Sequence, residues 1–294
     1  ASLTMARLTT ATSGLVTTLP SPENETVLVV AAVLSFWLVL TKRKIDKIAA
    51  SASPSQTAIV FCGEVIYFNT NIMKFPHKTM EHKLFAAGYR QIIAVDEVGM
   101  GALAGPVVVC AVMFNKTFFQ KTHKKLRRLR DSKLLSPKKR AGFQKELVKL
   151  PGLKYQISYC YPKTIDRLNI YRAARVAMRR AVYKVMGNRL LQPKTYNLKP
   201  STIVLVDGPY KIPGLSLPQL PIVKGDRKVF AIACASIIAK VYRDKMMAKY
   251  AKRYPDYGFE QHKGYGTRLH QAQLAALGVS KIHRKSFAPV ARLI

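Results

Sequence analysis

Short apolar runs separated by polar, glycine-rich turns set the rhythm of this chain from about Thr79 onward. Apolar runs rich in β-branched residues predict strands at 92–95, 106–114 and 202–206, the mixed segment 154–161 predicts another, and a shorter run predicts one at 221–224. Helical spacing predicts helices over 79–87, from about Arg167 to Met186, and over 229–253, and a last helix capped by Thr267 and running to Leu277. Strands first, then helices alternating with strands, predict an α/β domain built on a mixed sheet covered by helices. Ahead of it, Thr57–Phe68 reads as a short hairpin turning at Gly63-Glu64.

The first forty residues follow a different pattern. Ala1–Leu19 is rich in Ser, Thr and Ala, carries Arg7, and no acid precedes Glu23, the composition of an organellar transit segment. Val27–Leu40 is apolar apart from Ser35 and is followed by Thr41-Lys42-Arg43-Lys44. It is shorter than the roughly twenty residues that span a bilayer comfortably, so it fits a buried helix or a membrane anchor. Three regions follow: 1–44, transit-like with the apolar helix; 45–78, a linker and short extension; and 79–294, the α/β domain.

Charge narrows the choice of partner. The 294 residues carry a formal net charge of +34, and residues 91–294 alone hold 40 Lys and Arg against 10 Asp and Glu. An excess of one sign over two hundred residues points to a polyanion, nucleic acid before an anionic membrane surface. The four cysteines (Cys62, Cys110, Cys160 and Cys234) are far apart and form no CxxC pair. They suggest buried thiols in a reducing compartment rather than a disulfide framework or a zinc site.

In so basic a chain the few acids stand out. Asp96 and Glu97 follow the run Ile92–Val95 at the mouth of the turn Gly99-Met100-Gly101, and Asp207 and Asp226 follow two other predicted strands. Acids at strand ends are often turn formers or caps. If these four converge, they would repel one another unless a cation lay between them. Hard ions such as Mg²⁺ take oxygen ligands, and a pair about 4 Å apart can clamp both oxygens of an in-line phosphodiester cleavage. The spacing therefore suggests a metal-dependent nuclease.

Seven ordered blocks carry a resemblance. They are Asp96–Val108, Asp131–Ser136, Val206-Asp207-Gly208, Val223–Asp226, Ala235–Asp244, His262–Thr267 and His283–Pro289. From about Glu81 to the C-terminus the chain resembles the ribonuclease HII (type 2 ribonuclease H) family. The resemblance implies a ribonuclease H-like fold: a mixed five-stranded sheet flanked by helices, with a C-terminal helical extension and, here, an N-terminal extension foreign to the family. It implies endonucleolytic cleavage 5′ of a ribonucleotide in a DNA duplex or RNA–DNA hybrid. Asp96, Glu97, Asp207 and Asp226 would be the catalytic ligands of Mg²⁺ or Mn²⁺. Gly99, Met100, Gly101, Lys133 and Tyr265 would contact substrate, Tyr265 by stacking at the ribose–deoxyribose junction. Asp244, inside helix 229–253, reads as a partner for that helix's bases.

One position departs from the family pattern. The glycine–arginine–glycine turn reads Gly99-Met100-Gly101, so a charge-assisted phosphate contact becomes a thioether. The run Lys124–Arg130 either compensates or is a solvated basic loop. Two functional readings follow. One is an organellar, mitochondrial nuclease, tethered to a membrane if Val27–Leu40 inserts. The other is an RNA-binding structural subunit of a ribonucleoprotein such as a mitochondrial ribosome, which would fit the high charge and the missing arginine.

Overall fold

The computed structural model describes residues 56–61, 64–69, 75–121, 124–126, 128–129, 132–187 and 201–294. The transit-like segment, the run Val27–Leu40 and most of the linker lie outside those residues. The chain divides into two compact units, Ala1–Ile72 and Met73–Ile294. In the first, β1 (Gln56–Phe61) pairs antiparallel with β2 (Glu64–Asn69), with Thr57 opposite Phe68, the hairpin expected from the sequence.

The second unit opens with α1 (Thr79–Ala86) and is built on a five-stranded sheet. Its strands are β3 (Gln91–Val98), β4 (Val107–Asn115), β5 (Leu153–Cys160), β6 (Thr202–Asp207) and β7 (Gln219–Ile222), in the order β5-β4-β3-β6-β7. Pairs β5–β4 and β4–β3 are antiparallel, while β3–β6 and β6–β7 are parallel, so the sheet is mixed. The short α2 (Lys116–Gln120) follows β4. Before β5 comes α3 (Pro137–Leu147), which the sequence reading did not anticipate. Its apolar stripe is weak, but Ser136 caps Lys139 N–H at 3.4 Å and Pro137 opens the first turn.

Period-two alternation along β3 sorts its side chains between two cores. Ile92 and Ala94 pack with Phe114, Phe118 and the first half of α7 (Phe230–Arg253). Ile93 and Val95 pack with Ala173, Ala177 and Ala181 of α5 (Ile170–Met186) on the other face. The long helix expected over 167–186 is two helices, α4 (Pro162–Leu168) and α5. Asn169 breaks them apart with φ +65°, and its side chain caps the Arg172 N–H at 3.0 Å.

A second boundary also moves. The strand expected at 221–224 lies at Gln219–Ile222. Lys224 turns into the left-handed region (φ +56°), and Asp226 sits in the one-turn helix α6 (Gly225–Lys228) rather than at a strand end. The C-terminal extension comprises α8 (Phe259–His262), α9 (Arg268–Leu277), capped by Thr267 as expected, and α10 (Ala288–Ala291). It folds back on the segment after the glycine turn. Leu103 N–H reaches Gly264 O at 2.8 Å, and Arg284 N–H reaches Leu103 O at 2.8 Å.

Candidate active site

Strand β3 runs on to Val98, so Asp96 and Glu97 lie within it rather than after it. Neighbours in a strand point to opposite faces. By parity Asp96 continues the row Ile92–Ala94 toward α7, where Ser236 hydrogen-bonds its carboxylate. Glu97 continues the row Ile93–Val95 toward α5, where the charge of Arg175 acts on it. The parallel register pairs Val95 with Val206, so Asp207 ends β6 one step on, beside Asp96. The fourth acid arrives through a close turn. Gly225 N–H donates to Asp207 Oδ1 at 2.7 Å, and a Cβ on Gly225 would lie 2.5 Å from Ile232 Cδ1. The missing side chain lets α6 bring Asp226 against Asp207.

Electrostatics link the four. Burial raises the Asp96 carboxyl well above the usual carboxylate range; Glu97, Asp207 and Asp226 raise it further, while Ser236 opposes them. Burial lifts Glu97 to about 7, and Asp207 adds to the rise, while Arg175 and Lys133 pull it down. Asp207 is also raised by burial, against the backbone N–H groups of Gly225 and Asp226 and the charge of Lys133. Glu97 Oε2 is buried with no hydrogen-bond partner. Such an atom is costly unless a cation or proton meets it. Among the described residues no three Asp, Glu, His or Cys side chains already form a closed ion cage.

The remaining predicted residues surround the turn after β3. Lys133 lies exposed in the 3₁₀ turn Ser132–Leu134, with its ammonium acting on Glu97 and Asp207. Ser132 Oγ, from the same turn, lies 2.9 Å from Ser236 Oγ, so a hydroxyl pair backs Asp96. Gly99 has φ +95°, and a Cβ there would sit 2.3 Å from Arg243 Nε, so both its freedom and its small size are required. Gly101 has open space around it. Met100 packs beside the α5-side core. Of the basic run 124–130, Leu126 and Leu129 are buried, so it is anchored to the core and not wholly a solvated loop.

Two arginines that the sequence reading did not single out hold this turn. Arg243 and Arg284 are fully buried. Arg284 donates to Gly99 O at 2.6 Å, Met100 O at 2.8 Å and Gly105 O at 3.1 Å. Arg243 donates to Pro106 O, Ala104 O and Lys263 O at 3.0, 3.2 and 2.9 Å. Burying a guanidinium is expensive, and spreading its N–H groups over three carbonyls offsets that cost. The only signal in the sequence was that each lies within a block of the resemblance. The Tyr265 ring stands 5.2 Å from Arg243 Cζ and 5.7 Å from Lys240 Nζ, and its backbone forms a bridge with Ala102. Asp244 pairs with Lys240 at 2.7 Å, as expected for a base of its own helix, and also with Arg140 of α3 at 3.1 Å.

The family model described as ribonuclease HII matches residues 93–290, a span that contains all four acids, both arginines and Tyr265. The chain belongs to the ribonuclease HII family. Among its ribonuclease HII relatives, that of Caldicellulosiruptor saccharolyticus is 44% identical over 208 residues, covering 71% of this chain and 92% of the relative. That of Acholeplasma laidlawii is 42% identical over 222 residues, 76% of this chain and 99% of the relative. The fold is similar to ribonuclease H2 from Pyrococcus horikoshii OT3, with TM-score 0.54 at 22% identity over 69% of this chain and 96% of that one. It is also similar to Bst-RNase HIII, solved in complex with Mn²⁺, with TM-score 0.56 at 14% identity over 82% of this chain and 86% of that one. The mixed five-stranded sheet flanked by helices is thus the ribonuclease H-like fold, and the chain is a ribonuclease H-type nuclease, a hydrolase.

Proposed function

We propose that this ribonuclease HII family member is a divalent-metal-dependent endonuclease that cuts on the 5′ side of a ribonucleotide embedded in a DNA duplex or RNA–DNA hybrid. The observation that carries the reading is that the Asp96 carboxyl feels Glu97, Asp207 and Asp226 at once. An acid repelled by three others, beside one with an orphaned buried oxygen, suits a bound cation in so basic a chain. Asp96, Glu97, Asp207 and Asp226 would hold Mg²⁺ or Mn²⁺. When bound, such ions supply Lewis-acid stabilisation of phosphodiester cleavage.

The chain's own groups do the rest. Ser236 and Gly225 hydrogen-bond the carboxylates of Asp96 and Asp207 and hold them in place. Lys133 and Arg175 temper the negative field beside Glu97 and provide positive charge for backbone phosphates. Arg284 occupies the carbonyls of Gly99 and Met100, so the turn is held with its backbone in one conformation for reading a 2′-hydroxyl. Tyr265, fixed by Arg243 and the Ala102 bridge, would pack at the junction of ribose and deoxyribose.

Incubation of the purified protein with Mg²⁺ or Mn²⁺ and a duplex containing one ribonucleotide tests the proposal. Incision 5′ of the ribonucleotide is expected, with loss of at least a hundredfold in Asp96→Asn, on the order of removing a principal electrostatic group from an active site. Wild-type incision no greater than that of the Asp96→Asn control would sink the nuclease reading and leave the RNA-binding scaffold.

A further inference from the structure

Beyond the acids and Arg175, one structured surface beside them takes no part in the proposed cleavage. The loop between β6 and β7 leaves Asp207 through Gly208 and exposes Pro209-Tyr210-Lys211. It is held from beneath and from one side. Gln219 receives the Ile212 N–H at 2.7 Å and donates to Ile212 O and Leu215 O at 3.1 Å each. Helix α5 adds three rungs one helical turn apart: Arg175 to Tyr210 O at 3.2 Å, Arg179 to Pro213 O at 3.3 Å, and Tyr183 Oη to Gly214 O at 3.0 Å. Gly214 allows the close approach, since a Cβ there would meet Arg179 Nη1 at 2.5 Å.

So many bonds make the loop rigid, yet the Tyr210 ring is 67% exposed. Pro209 restricts the backbone in front of it. Arg175 Cζ lies 5.8 Å from the ring centroid, covering part of the ring while its charge also acts on Glu97. The same helix carries Arg172, Arg175, Arg179, Arg180 and Lys184 and no acid. An immobilised, solvent-facing aromatic among bases, one residue contact from the acidic cluster, has the makings of a nucleic-acid contact: a flat apolar face for a sugar and positive charge for the flanking phosphates.

We propose that Tyr210, seated on Arg175, packs against the sugar–phosphate backbone of the substrate duplex where it passes α5, with Arg172 and Lys211 on neighbouring phosphates. The site rests on the nuclease reading for its substrate. It is a second aromatic contact, carried by a different element from Tyr265.

The test is binding of the full chain to a short fluorescent duplex containing one ribonucleotide, in chelator so that nothing is cut, over a range of salt. Tyr210→Ala is expected to weaken binding about 5- to 10-fold, the low end of aromatic contacts to nucleic acid. Thermal stability should be unchanged, and so should the slope of log affinity against log salt, because no charge is lost. Arg172→Gln should reduce that slope by about one. Tyr210→Phe should bind as the wild type does. Wild-type affinity in Tyr210→Ala would overturn the proposal, as would an equal loss in Tyr210→Phe. If the wild type binds but does not cut when Mg²⁺ is added, the nuclease reading fails while the Tyr210 comparison still decides this one. If the wild type does not bind the duplex, both fall.

Discussion

At residue 100 the chain's chemistry and its architecture point in different directions. The turn is held as if its backbone mattered, with Arg284 on two of its carbonyls and Arg243 filling the space beside Gly99. The side chain between the glycines is nonetheless Met100, partly buried beside the α5-side core. A thioether gives packing and no phosphate contact. Met100→Arg is therefore expected to raise incision up to roughly tenfold, since a charge-assisted hydrogen bond is worth about 1.5–3 kcal/mol and part of that is lost with the packing. The gain should appear in KM more than in kcat, and single-ribonucleotide incision kinetics would measure it. An unchanged rate would mean that Arg175, Lys133 or the basic segment after α2 already supplies the charge. Legibility at this scale was uneven. Asp96, Glu97, Asp207 and Asp226 stood out because acids are scarce in the chain. Arg243 and Arg284 were two bases among 49 Lys and Arg, and it took their complete burial to mark them.

Among the elements, α7 shows how a helix can borrow its cap. Val229 offers no side-chain acceptor at its N-terminus, and Glu81 of α1 supplies one, accepting the Ala231 N–H at 2.7 Å. Burial raises this carboxyl from 4.5 to about 7, against the Ala231 hydrogen bond. Between those two values the folded state holds a proton that the unfolded chain has released, so Glu81's contribution to stability falls as pH rises from 4.5 through 7. Glu81→Gln keeps an acceptor for Ala231 and removes the titration. Relative to wild type, the variant should gain about 3 kcal/mol across that window, measured by denaturant unfolding at its two ends. A constant difference between the two proteins would refute the assignment. Element boundaries failed to read through where local signals were weak or duplicated. Asn169 splits what looked like one helix because its left-handed backbone and capping side chain outweigh the continuous apolar spacing on either side. Helix α3 was missed because its capping Ser136-Pro137 is followed by little apolar periodicity.

For the whole molecule the dominant fact is a formal net charge of +34. Nucleic-acid binding should be strongly salt-dependent, because each phosphate neutralised releases counterions. If the duplex makes roughly six to ten phosphate contacts, affinity should fall about 10³- to 10⁵-fold between roughly 50 and 200 mM salt. Fluorescence anisotropy would measure the slope, and a flat response would refute an electrostatic grip on the backbone. The charge sits around a sheet whose two faces are each closed by a helix, α7 on one and α5 on the other. Helix α5 faces both ways, with alanines against the strands and arginines outward along the loop after Asp207.

What the sequence determined by itself was local and compositional. Apolar runs of strand length specified β3, β4 and β6, because burying such runs in a sheet is the economical way to remove them from water. The scarcity of acids marked four carboxylates, and ordered motifs pointed to a family that the match over residues 93–290 shows. Tertiary structure decided the rest. The adjacent Asp96 and Glu97 lie on opposite faces of one strand, and the site unites them only because β6 runs parallel beside β3 and Gly225 permits α6 to close on Asp207. It also decided which bases become internal struts for backbone carbonyls and which remain outside to meet a polyanion. That division depends on burial, and burial belongs to contacts between residues more than a hundred positions apart in the chain, as between Arg284 and Gly99.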